Sequence, residues 1–523
     1  MLQKKLIQIF NNKLLIFTLA IIAFFTNYHY GFIGIMPMDN TVLFNGGYRV
    51  LKGYTPFMDY WLVTGPLLDY LNAFFFKLLG ISWSTFIIHS SVFNSILAIA
   101  SYFFFKKNNL SNIFSFIYSL LISILFYPVV GTPFVDHHST FFVILAFYGL
   151  ILAIRTQNLN YYILLPFLLS LSFLSKQTPA AYGIITISIF IPVIAMLGKK
   201  EEGIKIIIKS VIGTVLALLF LLLFFFISKI NMSNFLEQYI FYGSSIGETR
   251  LKTYEFNLFN EIIKYKFISF FIFFLIYVLI KSKMQKLLNT QDLLVIIICI
   301  SFSVIIIFHQ LISLNQNFIF FLIPFLCGIA HSFYKKIFKL NYFLFLLMAV
   351  CLFSTAKYHI RFNEERKFNE LENIDISKSI DAKIIDEKLK GLKWISYLEP
   401  NNPQDEINNL TQAMELFKKE ETNKMLITEY QIISPILDIY DNSPNQWHHP
   451  SVSFPLRGSN QFKKYQKFFI SKIKENNIET ILETRTDDKI ITALILNENC
   501  FLKERIGKML IKVKLNLNCQ ELE

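Results

Sequence analysis

Acidic side chains are nearly missing from the first two-thirds of the chain. Residues 1–356 hold 11 Asp+Glu beside 25 Lys+Arg. A soluble surface carries charge of both signs, so this stretch is not expected to fold in water. A pump or ion-coupled transporter places ionisable groups inside its spans, and the long apolar runs here are almost free of acids. Cysteine is limited to five residues with no metal-ligand spacing among them. Cys299, Cys327 and Cys351 fall in apolar runs and read as small core residues. Cys500 and Cys519 lie in the polar tail, where a disulfide is open if the tail is extracytoplasmic. The tail has no glycine-rich phosphate loop. The basic excess lies between apolar runs and not on a folded face, which leaves no nucleic-acid-binding surface.

What is abundant is apolar mass: 54% of residues are hydrophobic, and Phe alone accounts for 57. A span needs about 20 such residues. Eleven segments qualify: 14–34, 85–105, 110–129, 139–154, 160–175, 179–197, 206–228, 266–280, 292–310, 317–334 and 340–356. The first follows Lys4, Lys5 and Lys13 without a small-residue cleavage pattern, so it reads as a span. With the N-terminus in the cytoplasm, the inner loops are short and take 16 of the 25 Lys+Arg, including Lys106, Lys107, Arg155, Lys199, Lys200, Lys281, Lys335 and Lys339. That is the positive-inside pattern. The expectation is a polytopic α-helical membrane protein of about 11 transmembrane helices in a bacterial cytoplasmic membrane. An odd span count puts the C-terminal part outside, in the periplasm of a Gram-negative cell. Residues 1–356 would be the membrane domain, with long outer loops at 35–84 and 229–265. Residues 357–523 would be a soluble extracytoplasmic α/β domain.

Within the first loop, helical stretches are expected at 39–52 and 66–79, and 229–265 suits an interfacial amphipathic helix. In the tail, helices are expected at 404–421 and 461–476 and strands at Met425–Tyr430, Ile478–Glu483 and 508–517; such alternation suits a small α/β domain. The outer acids are few enough to weigh singly. Asp39 follows the first span and is either a helix cap or a general base. Asp59 sits in a Gly/Pro-rich turn, which it either caps or uses to face a ligand. Asp69 lies in a helical stretch and reads as solvated. Asp136-His137-His138 precedes the fourth span and reads either as a helix cap with interfacial histidines or as a binder of a divalent cation or phosphate, Asp136 and His137 being the open cation ligands, though three adjacent residues do not easily converge on one ion. Lys176-Gln177 interrupts apolar sequence, and Lys176 either snorkels or neutralises a lipid phosphate. Arg250 is a second such cation.

Four features together resemble the GT-C superfamily of membrane glycosyltransferases, which includes protein O-mannosyltransferases and the lipid A aminoarabinose transferase. They are Asp39 after the first span; the run from Gly46-Gly47-Tyr48-Arg49 through Gly53-Tyr54-Thr55-Pro56-Phe57-Met58-Asp59, continuing as a Gly65-Pro66 helix; Asp136 before the fourth span; and Lys176-Gln177. Some members carry a second acid beside the first, where Asn40 stands here. The resemblance implies an inverting transfer of a sugar from a polyprenyl-phosphate carrier to a glycan, lipid or protein acceptor outside the cytoplasm. Asp39, or Asp59, would be catalytic. Lys176, Gln177, Arg250 and Arg49 would hold the lipid phosphate, and Asp136, His137 and His138 would line the donor site or hold a divalent metal. Trp61, Tyr54 and Tyr60 would stack on a sugar or anchor at the interface. A glycan polymerase or ligase, or a glycolipid flippase, is the alternative. Polymerases and ligases rely on a large late loop, and the late outer loop here, 311–316, is tiny.

Overall fold

The computed structural model describes residues 2–313, 318–338, 341–485 and 488–519; half of the expected 311–316 loop, and Lys339, lie outside them. In chain order the helices are α1 (Leu2–Tyr30), α2 (Pro37–Leu51), α3 (Leu67–Leu79), α4 (Trp83–Lys107), α5 (Asn112–Ile124), α6 (Val135–Thr156), α7 (Asn160–Ser175), α8 (Gln177–Leu197), α9 (Lys200–Ile227), α10 (Met232–Phe235), α11 (Gly243–Thr253), α12 (Leu258–Lys264), α13 (Lys266–Gln285), α14 (Thr290–Ser313), α15 (Leu322–Ile337) and α16 (Tyr342–His359). Among the described residues, nine helices are long and apolar enough to cross a membrane. Two expected spans fall short. Helices α7 and α15 have 16 residues each, or about 24 Å of rise against a core of about 30 Å. The 229–265 loop is a series of short helices, not one amphipathic helix.

The chain divides into two compact units. The first comprises Met1–Gly31, Ile87–Leu223 and Arg250–Phe368 and holds the membrane-length helices. Helices α6 and α14 run antiparallel in it, with an ion cluster at each end. At one end, Arg155 and Lys336 both bind Asp292, at 2.5 and 2.7 Å. At the other, Asp136 meets His309. The connection before α6 crosses α1 through two glycines: Gly131 has φ +82°, and a Cβ on it would lie 2.6 Å from the Gly31 Cα. Cys299, Cys327 and Cys351 are buried, as expected of core residues.

The second unit comprises Phe32–Phe86, Phe224–Thr249 and Asn369–Glu523. The first long loop and part of the second therefore pack with the tail, and residues 357–368 belong to the helical unit. The tail contributes β1 (Ile380–Asp381), β2 (Lys393–Trp394), α17 (Pro403–Lys419), β3 (Lys424–Ile427), α18 (Ile433–Leu437), α19 (Phe462–Glu475), β4 (Thr480–Thr484), α20 (Ile491–Ile495), β5 (Phe501–Ile506) and β6 (Leu510–Leu515). Strands β3-β4-β6-β5 form one sheet, parallel between β3 and β4 and antiparallel elsewhere. Residues Phe32–Ile35 add to β2: Lys393 N–H donates to the Phe32 carbonyl (2.8 Å) and Gly34 N–H to the Lys393 carbonyl (3.1 Å). Trp61, Val63 and Tyr242 share one buried cluster with Met425, Phe469, Ile481 and Val513. Apolar loop residues complete the tail's core, which is why loop and tail form one unit. Cys500 and Cys519 are disulfide-bonded, resolving the pairing left open by sequence.

Candidate functional site

In the helical unit, the sequence Lys176-Gln177-Thr178-Pro179 breaks the chain between α7 and α8. Proline disfavours helical backbone in the residue before it, and Thr178 is extended at φ −116°, ψ 136°. Lys176 is extended as well. Its ammonium reaches both Asp136 carboxylate oxygens at 2.7 Å. On the other side, His309 Nε2 lies 3.0 Å from Asp136 Oδ1. Ser139 binds Ser172 at 2.8 Å and the Lys176 carbonyl at 3.3 Å, fixing the break against α6. Asp136 is buried, while the Lys176 side chain is 18% exposed. An ammonium has three donors, and a single carboxylate leaves it capacity for another acceptor. Arg250 Nη1 donates to the Ser313 carbonyl at 3.1 Å, one turn beyond His309 on α14. Gln177 is half-buried at the first position of α8.

Asp136, His137 and His138 diverge, as consecutive helical positions must. The His138 ring pairs with His89, Nε2 to Nε2, at 3.1 Å. The His137 ring lies among Phe126, Phe134, Phe318 and Phe368. Neither of its nitrogens makes a well-formed hydrogen bond, the Phe126 carbonyl being a looser neighbour. Among the described residues, no three His, Cys, Asp or Glu side chains group as cation ligands. A divalent ion on Asp136 would have to displace the Lys176 ammonium, so this donor set does not fit the metal left open by sequence. His309 and His89 were not singled out by sequence reasoning; an ionisable residue near the end of an apolar run is the signal that would have found them.

In the second unit, Asp39 lies in the first turn of α2 and is exposed. It is not the cap. Asn40 Oδ1 accepts the Met36 N–H that precedes α2, at 2.8 Å. Asp59 does cap its turn, accepting the Thr55 N–H at 2.7 Å, with the Lys472 ammonium 3.9 Å away. Arg49 does not face a phosphate. It is wholly buried, 2.8 Å from Asp441, donates to the Asn445 carbonyl at 2.9 Å and stacks near Tyr60 and Tyr440. The aromatic expectations change similarly: Trp61 is core, and Tyr54 stacks on Tyr440 with centroids 3.5 Å apart. Tyr60 donates to Asp69 at 2.8 Å.

Asp69 is buried, not solvated. Gln446 Nε2 also donates to it, at 2.9 Å, and Gly46 is required for its fit, since a Cβ there would lie 2.1 Å from Asp69 Oδ1. Burial pushes its pKa from 3.8 up to about 7, against the pull of Tyr60, Arg49 and Gln446. A raised acid holds its proton better folded than unfolded. Its stabilising contribution is thus complete below pH 3.8 and lost as pH rises to about 7. Asp69→Asn is expected to flatten the melting temperature between pH 5 and 8 relative to wild type. The difference between the two proteins isolates Asp69, because buried Glu406 and Glu483 are also raised while His448 is lowered, all chiefly by burial. Parallel curves would show that Asp69 stays ionised throughout.

No protein family matches the chain, and no curated protein is detectably similar to it.

Proposed function

We propose that the chain is an inverting glycosyltransferase that moves a sugar from a polyprenyl-phosphate carrier to a glycan, lipid or protein acceptor on the outer face of a bacterial cytoplasmic membrane. The observation carrying this reading is Lys176: a partly exposed ammonium at the end of membrane-length helices, oriented by buried Asp136 and His309, with donor capacity left for a phosphate oxygen. In the reaction the acceptor oxygen bonds the anomeric carbon and the bond from that carbon to the phosphate oxygen breaks. The leaving phosphate gains negative charge, and a fixed cation stabilises charge that grows in the transition state. Asp39 takes the acceptor's proton as general base; Asp59, engaged in its turn, is the weaker choice. Gln177 and Arg250 flank the two ends of the Lys176 cluster and assist with the phosphate.

The Cys500–Cys519 disulfide supports an oxidising, extracytoplasmic location for the tail. A glycolipid flippase would need charge along a path through the membrane. Among the described residues, the acids of the membrane-length helices sit at their ends: Asp136 opens α6, Glu201 and Glu202 open α9, and Asp292 opens α14. That distribution favours chemistry at a membrane face.

The test is a transfer assay on the full chain in lipid, with a panel of radiolabelled polyprenyl-phosphate sugars and membrane extract as acceptor. Wild type should release label from one donor. Lys176→Met should lose about 10²-fold or more, with Lys176→Arg retaining part. Equal release by Lys176→Met would remove the lysine from the mechanism. Translocation of intact donor across vesicles without release would replace this reading by the flippase one.

A further inference from the structure

At the far end of α6 from Asp136, a second site is built. Helices α8 and α9 turn tightly there, so close that a Cβ on Gly203 would lie 2.3 Å from the Ala195 carbonyl oxygen. Beside this turn a cavity of about 280 Å³ opens between the ends of α6 and α8 and the starts of α7, α9 and α14. Ile154, Ile194 and Leu294 form apolar walls, and Gln157, Glu202 and Lys205 are polar lining. Ile154 is 18 residues along α6 from Asp136, which is about 27 Å. The cavity is therefore separate from the Lys176 cluster and lies at helix ends, where a bilayer's headgroups begin.

Glu202 and Lys205 stand three apart on α9, where opposite charges commonly pair. Among the described residues they form no ion pair with each other or with anything else. One carboxylate and one ammonium, both uncommitted, line the same apolar-walled cavity. That is the complement of a ligand carrying one anion and one cation over an apolar body. Gly198 also borders an open trough lined by Met196, Ile204 and Ile208, and Met196 is 84% exposed. The trough gives an acyl chain apolar surface to follow beyond the cavity. A negatively charged headgroup alone would satisfy Lys205 and leave Glu202 repelling it.

We infer that this cavity binds a phospholipid whose headgroup carries both a phosphate and a primary ammonium, the phosphate on Lys205 and the ammonium on Glu202. An ammonium with N–H donors bonds a carboxylate directly; a trimethylated one cannot. The inference is independent of the glycosyltransferase reading.

Native mass spectrometry of the full chain, after exchange into vesicles of phosphatidylethanolamine, phosphatidylcholine or phosphatidylglycerol, tests it. Retained phosphatidylethanolamine should exceed each of the others by about tenfold, as expected for a charge-assisted hydrogen bond. Lys205→Glu and Glu202→Lys should each abolish that preference, and the double exchange Glu202→Lys/Lys205→Glu should recover part of it. Both side chains are exposed, and an unchanged circular-dichroism melt, which follows the helices of the first unit, checks the fold. Preference for phosphatidylglycerol would overturn the inference in favour of an anion site, and equal retention would reduce the cavity to ordinary lipid contact. Full competition by free phosphoethanolamine would also overturn it, by showing that no lipid is needed.

Discussion

Asp39→Asn is expected to slow the proposed sugar transfer by about 10²- to 10⁴-fold, the usual worth of a positioned general base. A hydroxyl is a poor nucleophile until its proton is taken, and asparagine matches the aspartate in shape but cannot take it. The loss should fall on kcat and kcat/KM alike, since the interaction exists only in the transition state. The fold should survive. Asp39 is exposed, and the Met36 N–H that precedes α2 is bound by Asn40. The contrast with Asn40→Ala is informative: that change removes the acceptor for the Met36 N–H and should cost about 1 kcal/mol of stability. It should move activity only through folding.

Transfer by Asp39→Asn at the wild-type rate would take Asp39 out of the mechanism. Asp59 would not then succeed it readily, because that carboxylate already accepts the Thr55 N–H and faces Lys472. A loss confined to KM would mean that Asp39 binds the acceptor and does not activate it.

The helices were legible in the sequence because each long apolar run has only one way to satisfy its backbone in a membrane. The loop helices were nearly as clear: 39–52 and 66–79 became Pro37–Leu51 and Leu67–Leu79. In the tail, β3 and β4 overlap the expected strands, each overrunning by one residue, and β6 lies within its expected range, but β5 was missed. Its central residues Leu502, Lys503, Glu504 and Arg505 are exposed, so it lacks the apolar alternation that marks a half-buried strand. What the sequence hid was pairing. Asn45 meets Gln431 across 386 positions, and Asp136 meets His309 across 173. Hydropathy carries no record of such partners. Hence Arg49 looked like a phosphate ligand, Asp69 looked solvated, and Trp61 looked like an anchor, although each belongs to a buried contact. Asp136 and Lys176 could be marked singly as outer polar residues; their meeting required the structure.

Asp441→Ala is expected to destabilise the second unit by about 3–5 kcal/mol, the typical result of stranding one member of a buried ion pair. Arg49 and Asp441 are exposed by 0% and 2%, so water cannot replace the lost carboxylate. The same carboxylate accepts from Asn45 at 2.9 Å and from the Ser443 N–H at 3.0 Å; the Ser443 N–H would lose its partner, and Asn45 would keep only Gln431. All four tryptophans of the chain, Trp61, Trp83, Trp394 and Trp447, lie in this unit. Trp83 is the first residue of α4 and the other three lie outside the membrane-length helices, so fluorescence in a Trp83→Phe background reports the unfolding of this unit. Asp441→Asn, which keeps hydrogen bonding and loses charge, should fall between wild type and alanine. The decisive variant is Arg49→Met with Asp441→Ala. If stranded charge is the cost, removing the arginine should restore part of the stability lost in Asp441→Ala alone, a coupling that a double-mutant cycle measures. Purely additive losses would instead make the pair a bystander to packing. Because α2 carries Asp39 in its first turn and Asn45 and Arg49 further along, Asp441 is where the tail holds the helix of the proposed base. Transfer by Asp441→Ala should accordingly decline with the folded fraction.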